Sequence, residues 1–126
     1  MHMREIIDIC EAEKLAVVPV LYHGTCQENA ERIVREGWTP NSGALGGNAG
    51  QTRYLYLSNV PENALWFAQE KGCDIVITVT NVPTSYLRVD PEDGIADTVE
   101  DELNNPNGLP GSVVLFRSLG PEHFKF

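Results

Sequence analysis

The sequence predicts an α+β fold, in which helices flank a split β-sheet that is largely antiparallel or mixed. The length of 126 residues suits a single core of ordinary size. Helix-like segments come early in the chain, whereas segments typical of strands dominate the later part. A strand, a helix-start signal and a closing glycine also follow one another twice. These observations define residues 1–126 as one domain.

The N-terminal part of the chain is expected to form a helix followed by a strand. Apolar residues recur at helical spacing among charged ones over residues 4–15, which predicts an amphipathic helix within segment 1–16. Residues 17–23 predict a buried strand. Pro19 should mark its start, because proline cannot donate a hydrogen bond to a central ladder. His23 therefore falls at the end of a strand.

A second helix and a glycine-rich loop come next. Thr25 and Glu28 have the spacing of a capping box, and helical spacing continues until Gly37 supplies a C-cap. Residues 39–52 contain four glycines and no periodic apolar pattern, which predicts a flexible surface loop. Such a loop is either a cover over a site or an ordinary connector.

The strand-to-helix pattern then repeats. The second strand is expected to place Tyr54, Tyr56 and Ser58 on one face, because side chains alternate along a strand. Residues 59–62 repeat the capping signal, with a proline near the first helical turn, and the helix should end at Gly72.

Strands dominate the remainder. Runs rich in Val, Ile and Thr or bounded by turn residues predict strands at 73–80, 85–89, 112–117 and a short extended tail at 123–126. Segment 90–111 is acidic and turn-rich, with one short helix near residues 98–103.

The charge distribution bears on the kind of partner. The formal net charge is −9, and no Lys or Arg occurs between Arg88 and Arg117. Proteins that grip nucleic-acid phosphates need clustered cations, so a nucleic-acid partner is not expected. The acidic run is either a solvated surface or a docking face for a basic partner protein.

Composition also bears on metals, disulfides and location. The three cysteines, Cys10, Cys26 and Cys73, form no Cys-x-x-Cys pair, so neither a disulfide framework nor a zinc site is expected, and the cysteines should be small buried residues. The three histidines lack metal-ligand spacing, and we expect no metal. No apolar stretch reaches membrane-spanning length and no secretory signal is visible, so a cytoplasmic protein is expected.

Two short motifs carry the functional prediction: LYHGT at residues 21–25 and YLYLS at residues 54–58. A single His at a strand end is often a satisfied core residue, but here it stands in an ordered set. Together with NALWFA at residues 63–68, the set resembles the ADP-ribosyltransferase superfamily, in particular its branch with a His–Tyr–Glu site. The related RNA 2′-phosphotransferases share part of it. The resemblance covers residues 19–80 well and residues 112–126 more loosely.

The resemblance implies an NAD+ site and an ADP-ribosyltransferase-like fold. It assigns cofactor contacts to six residues: His23, Gly24, Thr25, Tyr54, Tyr56 and Ser58. In the family, the residue matching His23 bonds the adenosine-side ribose, the backbone of Gly24 holds the nicotinamide amide, and Tyr56 stacks on the nicotinamide. A flat cationic ring suits an aromatic face and a close backbone approach.

The third catalytic position departs from the family pattern. The family places a Glu at the start of a late strand, where this chain has Ser112. Glu100 or Glu102 could supply the carboxylate if the acidic segment folds back, and the alternative is that both face solvent. The predicted catalytic set is therefore His23, Tyr56 and Glu102.

These residues predict an NAD+-dependent mono-ADP-ribosyltransferase that acts on a macromolecule, a protein being favoured, with NAD+ hydrolysis as a side reaction. One alternative is an RNA 2′-phosphotransferase, although that family has a His in place of Tyr56, and only Arg53 lies near the site in sequence. Another is a non-catalytic binding module whose acidic segment docks a partner. A small acidic protein would also suit a toxin, an effector or a phage-encoded modifier.

Two weaker interpretations concern neighbouring residues. Cys26 and His23 could form a thiol–imidazole pair, although no third orienting group is evident. The aromatic residues Trp38, Trp66 and Phe67 are expected in the core rather than stacked on a ligand.

Overall fold

The chain folds around one sheet of six strands, seen here in a computed structural model that describes residues 17–40, 53–104 and 110–126. The strands are β1 (Val17–Thr25), β2 (Leu55–Ser58), β3 (Ile75–Pro83), β4 (Leu87–Val89), β5 (Ser112–Leu115) and β6 (Phe124–Lys125). Three α-helices are described: α1 (Gln27–Glu36), α2 (Pro61–Glu70) and α3 (Val99–Leu103). The predicted N-terminal helix and most of the glycine-rich loop lie outside the described residues.

The sheet is antiparallel throughout its described pairings, with strand order β4-β5-β2-β1-β3-β6. This confirms the α+β class and the antiparallel form of the predicted sheet. Strand β1 pairs with β3 along its whole length, from Val17 to Thr25. It pairs with β2 only where Tyr22 lies opposite Ser58. The two halves of the sheet therefore meet at one point and separate beyond it.

Helix α1 does not begin with the predicted capping box. Cys26 is the N-cap residue and makes no side-chain cap, because Thr25 is still paired as the last residue of β1. The Thr25 hydroxyl instead accepts a hydrogen bond from the Asn29 amide at 2.8 Å. The predicted end is confirmed, since Gly37 has a φ of 80° and its N–H bonds the Ile33 carbonyl.

Helix α2 also lacks the predicted side-chain cap. Val60 is its N-cap residue, and Pro61 occupies the first turn. Asn59 instead joins the acidic segment to the sheet: its amide group donates to the Leu103 carbonyl and accepts from the Gly111 N–H, both at 2.8 Å. Helix α2 ends at Glu70, two residues before Gly72, whose φ is 79°.

The strand boundaries differ from the predicted ones where local geometry intervenes. Pro19 lies inside β1 rather than at its start. Proline is tolerated there because the part of β1 that precedes Tyr22 has no pairing with β2. Strand β4 is short because residues 84–86 form a 3-10 turn. The predicted short helix is confirmed as α3, with Thr98 as its N-cap accepting from the Asp101 N–H at 3.1 Å.

The core is a cluster of apolar side chains from the sheet, α1 and α3. Fully buried members come from both halves of the sheet and from α1: Leu21, Ile33, Ile77, Val79, Val113 and Leu115. Trp38 belongs to this core, as predicted, and its backbone bonds that of Leu119 in both directions. The prediction is wrong for Trp66, which is 54% exposed because it lies on the outward side of α2.

A disulfide bond joins Cys26 to Cys73, contrary to the expectation from the sequence. The two cysteines are 47 residues apart in sequence, but their Cα atoms lie 5.0 Å apart. The register of the sheet brings them together, because Thr25 of β1 pairs with Ile75 of β3. Since the Cys26 sulfur is in this bond, the alternative interpretation of Cys26 and His23 as a thiol–imidazole pair is wrong for this structure. No described helix is both long and apolar enough to cross a membrane.

Candidate active site

A cavity of about 330 Å³ opens where β1 and β2 separate. Its walls come from both strands, from α2 and the residue after it, and from the acidic segment: Tyr22, His23, Gly24, Tyr56, Leu57, Ser58, Ala64, Phe67, Lys71, Glu92 and Asp93. Four of the six predicted cofactor residues line it. The structure therefore brings the two sequence motifs together at a single concave site.

His23 spans the gap between the strands. Its Nδ1 lies 2.7 Å from the carbonyl oxygen of Tyr56. A carbonyl oxygen only accepts, so Nδ1 carries the proton and a neutral ring leaves Nε2 as an acceptor. The side chain is only 6% exposed, yet it lines the cavity, and Nε2 has no hydrogen-bond partner among the described residues. Nε2 is thus free to accept a bond from a ligand hydroxyl or N–H.

The electrostatics keep His23 neutral. Burial lowers the pKa of His23 to about 4, the bond to the Tyr56 carbonyl partly opposes this, and the nearby charge of Lys71 adds to it. At neutral pH the ring is therefore a hydrogen-bonding group and not an acid.

Tyr56 lines the same cavity. Burial raises the pKa of Tyr56 above its usual value, and the charges of Glu92 and Asp90 raise it further, so the phenol stays protonated at neutral pH. Tyr54 packs edge-on against the Tyr56 ring with centroids 6.4 Å apart, but it does not line the cavity. Tyr54 thus supports Tyr56 from outside.

Ser58 fixes the start of α2. Its buried hydroxyl oxygen accepts bonds from the Val60 N–H at 3.2 Å and from the Asn63 amide at 3.1 Å. Because Ser58 also lines the cavity, it connects the position of α2 to the wall of the site.

Gly24 and Thr25 have different surroundings. A Cβ on Gly24 would collide with the backbone carbonyl of Ala64, so only glycine lets α2 approach β1 this closely. The backbone of Gly24 lines the cavity. Thr25 is buried, is bonded to Asn29 and is absent from the cavity wall.

Glu102 is buried beneath the acidic segment rather than exposed on it. One carboxylate oxygen accepts from the Ile95 and Ala96 N–H groups, each at 2.9 Å, and the other accepts from the Ser112 N–H at 2.9 Å. Burial alone would raise the pKa of Glu102, but these bonds outweigh it and hold the pKa below its usual value. Glu102 does not line the cavity, and its solvent-facing interpretation is wrong.

Ser112 and Glu100 do not reach the cavity wall either. Ser112 begins β5, is buried and pairs with Ser58 of β2. Glu100 is exposed on α3. The carboxylates that do line the site are Glu92 and Asp93, which the motif comparison missed.

Lys71 and Phe67 are two further cavity residues that the motifs did not single out as site residues. Phe67, expected in the core, is half-buried and lines the cavity. Lys71 is largely exposed at the rim, and the buried part of its side chain lowers its pKa. Among residues 17–40, 53–104 and 110–126, no three His, Cys, Asp or Glu side chains are grouped to hold a metal ion.

No protein-family model matches the chain, and no curated protein matches it significantly. The functional assignment therefore depends on the motifs and on the geometry of the cavity.

Proposed function

We propose that the protein is an NAD+-dependent mono-ADP-ribosyltransferase with an ADP-ribosyltransferase-like fold. One observation carries the proposal: His23 and Tyr56, from two separate motifs, line one cavity where β1 and β2 separate. The His23 side chain is hydrogen-bonded to the backbone carbonyl of Tyr56 there. The order and spacing of these motifs resemble those of the ADP-ribosyltransferase superfamily. The acceptor of the ADP-ribose is a macromolecule, most simply a protein.

The wall of the cavity suits the nicotinamide end of NAD+. Tyr56 and Phe67 offer aromatic surface, and the carboxylates of Glu92 and Asp93 offer negative charge, a combination that favours a flat cation. A volume of about 330 Å³ is at the lower end for ligand pockets. We therefore place the nicotinamide and its ribose inside, and the adenosine half beyond the cavity.

The reaction follows from this placement. The bond between nicotinamide and C1′ of the ribose breaks, and the electron pair leaves with the nicotinamide. Positive charge develops on C1′ and the ring oxygen, as in glycoside hydrolysis, and a nearby anion stabilises it. His23 Nε2 accepts a bond from a ribose hydroxyl, and the acceptor nucleophile attacks C1′. Water in place of the acceptor gives NAD+ hydrolysis.

The direct test is the release of nicotinamide from NAD+, which is measured by chromatography with and without cell lysate as acceptor. We expect release by the wild type and its loss in His23→Ala and Tyr56→Ala. His123→Ala is the matched control, because His123 Nδ1 lies 2.8 Å from the Thr80 carbonyl in the same kind of bond, but outside the cavity. Release that survives both cavity substitutions would refute the proposal.

A non-catalytic binding module is the second candidate. The observation that favours it is Ser112 at the family's Glu position, outside the cavity wall. This candidate predicts that NAD+ is bound weakly or not at all, without nicotinamide release. Phosphate recognition by an RNA 2′-phosphotransferase is less favoured, because the described part of the cavity wall carries two carboxylates and a single Lys.

A cytoplasmic location remains part of the proposal, and the Cys26–Cys73 bond provides its test. Reducing systems keep cytosolic thiols free, whereas disulfides persist in oxidising compartments. Thiol trapping with a maleimide at lysis of the native cells should label both cysteines if the protein is cytoplasmic. An unlabelled pair would indicate an oxidising compartment.

A further inference from the structure

Two buried acidic residues hold the acidic segment against the sheet, Asp90 through its backbone N–H and Glu102 through its carboxylate. Asp90 is 2% exposed and Glu102 is 1% exposed. Both residues are hydrogen-bonded to the backbone of Ser112: its carbonyl accepts from the Asp90 N–H at 3.0 Å, and its N–H donates to the Glu102 carboxylate at 2.9 Å. Because Ser112 is paired with Ser58 of β2, these bonds fix the acidic segment relative to the cavity wall.

Asp90 also shapes the turn that follows it. Its Oδ1 accepts from the Glu92 N–H at 2.8 Å and from the Asp93 N–H at 3.3 Å. The Gly94 N–H closes the turn on the Asp90 carbonyl at 2.9 Å, and a Cβ on Gly94 would collide with the Val89 side chain. The turn therefore has one defined shape, which puts Glu92 and Asp93 at the cavity.

The same cavity also presents a hydrogen-bond acceptor beside the acidic turn's carboxylates. His23 is 6% exposed, and its Nε2 has no partner among the described residues although the ring lines the cavity. Tyr56 lines the same cavity, and its pKa is raised first by burial and then by Glu92, ahead of Asp90 and Asp93. Of the two described carboxylates that line the cavity, Glu92 raises the pKa of Tyr56 more than Asp93 does.

We propose that Glu92 is the catalytic carboxylate of the site, held in place by Asp90 and Glu102 as positioning residues. This inference rests on the proposed function. When the nicotinamide leaves with the electron pair of its bond to C1′, the Glu92 carboxylate stabilises the positive charge on the ribose. The acceptor nucleophile then bonds to C1′ and passes its proton to Glu92, which returns it to solvent.

The role of Glu92 is tested by its amide variant. Glu92→Gln should lower the kcat of nicotinamide release about 100-fold or more, the size typical for losing one group that stabilises transition-state charge. Its effect on the Kd of NAD+ should be much smaller than its effect on kcat, because the positive charge on the ribose that the carboxylate stabilises develops only in the transition state. Glu100→Gln, exposed on α3 and outside the cavity wall, is the matched control and should keep kcat within about threefold of the wild type.

The positioning role of Asp90 calls for a pair of variants. Asp90→Ala removes the acceptor of the turn and should lower kcat while leaving KM nearly unchanged. Asp90→Asn keeps an oxygen that can accept the Glu92 and Asp93 N–H bonds, so it should restore most of the kcat. A purely structural role would lower the fraction of folded protein instead, which thermal unfolding records.

The outcomes separate this inference from the proposed function. Loss of kcat in Glu92→Gln with intact NAD+ binding supports it. A wild type that releases nicotinamide and a Glu92→Gln variant that releases it equally fast would overturn the role of Glu92 and leave the transferase proposal standing. A wild type that releases none, with or without lysate, overturns both.

Discussion

The Nδ1 of His23 donates a hydrogen bond to the Tyr56 carbonyl across 2.7 Å, beside the single point at which β1 pairs with β2. A side chain thus makes the contact that a backbone ladder would otherwise make. Because of this bond, β1 and β2 can separate without leaving the Tyr56 carbonyl unsatisfied, and the gap between the two strands is the cavity. Fold and site therefore depend on the same bond.

His23 should make the stability of the protein depend on pH. Its pKa is lowered to about 4 in the fold, so between pH 6.5 and 4 the unfolded chain binds more protons than the native one, and stability falls as the pH falls. We expect the wild type to lose about 3 kcal/mol more than His23→Gln over this range. Urea unfolding at several pH values measures the difference. His123→Gln is the control, and equal pH slopes in wild type and His23→Gln would contradict the account.

Glu102 should prove to be important for folding. Glu102→Gln replaces an acceptor of three backbone N–H groups by an amide that cannot accept at both ends, so the unfolding free energy should fall by about 3 kcal/mol. Glu100→Gln, exposed on the same helix, should change it by less than about 0.5 kcal/mol. The pKa of Glu102 is lower in the folded protein than in the unfolded chain. The ionised carboxylate therefore stabilises the fold at pH values above the usual carboxyl pKa, and this contribution is lost as the pH falls through the pKa of the folded protein. Equal denaturation midpoints for the two variants would disprove this role.

Gly24 should tolerate no side chain. Gly24→Ala places a methyl group against the Ala64 carbonyl and pushes α2 away from β1, which should cost about 3 kcal/mol. Gly72→Ala is the contrasting variant: its φ is 79° but nothing lies within 4 Å of the added Cβ, so only about 1 kcal/mol of backbone strain is expected. Urea midpoints compare the two, and a Gly24→Ala variant as stable as Gly72→Ala would show that the close approach of α2 is not needed.

The disulfide should contribute a substantial part of the stability. It closes a segment of 47 residues, for which loop-closure entropy gives about 4 kcal/mol at 25 °C. Reduction, or the double substitution Cys26→Ser and Cys73→Ser, should therefore lower the Tm, whereas Cys10→Ser should not remove the bond. Thiol titration of the unfolded, unreduced wild type should find one free thiol. Three free thiols and a Tm indifferent to reductant would contradict the bond.

Local signals were enough to predict several parts of this structure. His23 lies in β1 just before α1, Gly37 ends that helix with a positive φ, and Thr98 caps α3, all as predicted. In each case the residues that determine the conformation are close together in the sequence. The alternation of strands and helices could be predicted for the same reason.

Other features depend on residues that are distant in sequence. The Cys26–Cys73 bond follows from the β1–β3 register, which no cysteine spacing reveals. The placement of Glu92 at the cavity depends on bonds from Asp90 to its own turn and to Ser112. Only the Asp-Pro-x-Asp-Gly pattern of that turn was available in the sequence as a local signal.

Nicotinamide release from NAD+ by the wild type, His23→Ala and His123→Ala, compared at equal folded fraction, tests the central claim most directly. The account predicts release by the wild type and by His123→Ala, and none above background by His23→Ala. Equal release by all three proteins, or none by the wild type in the presence of cell lysate, would contradict it.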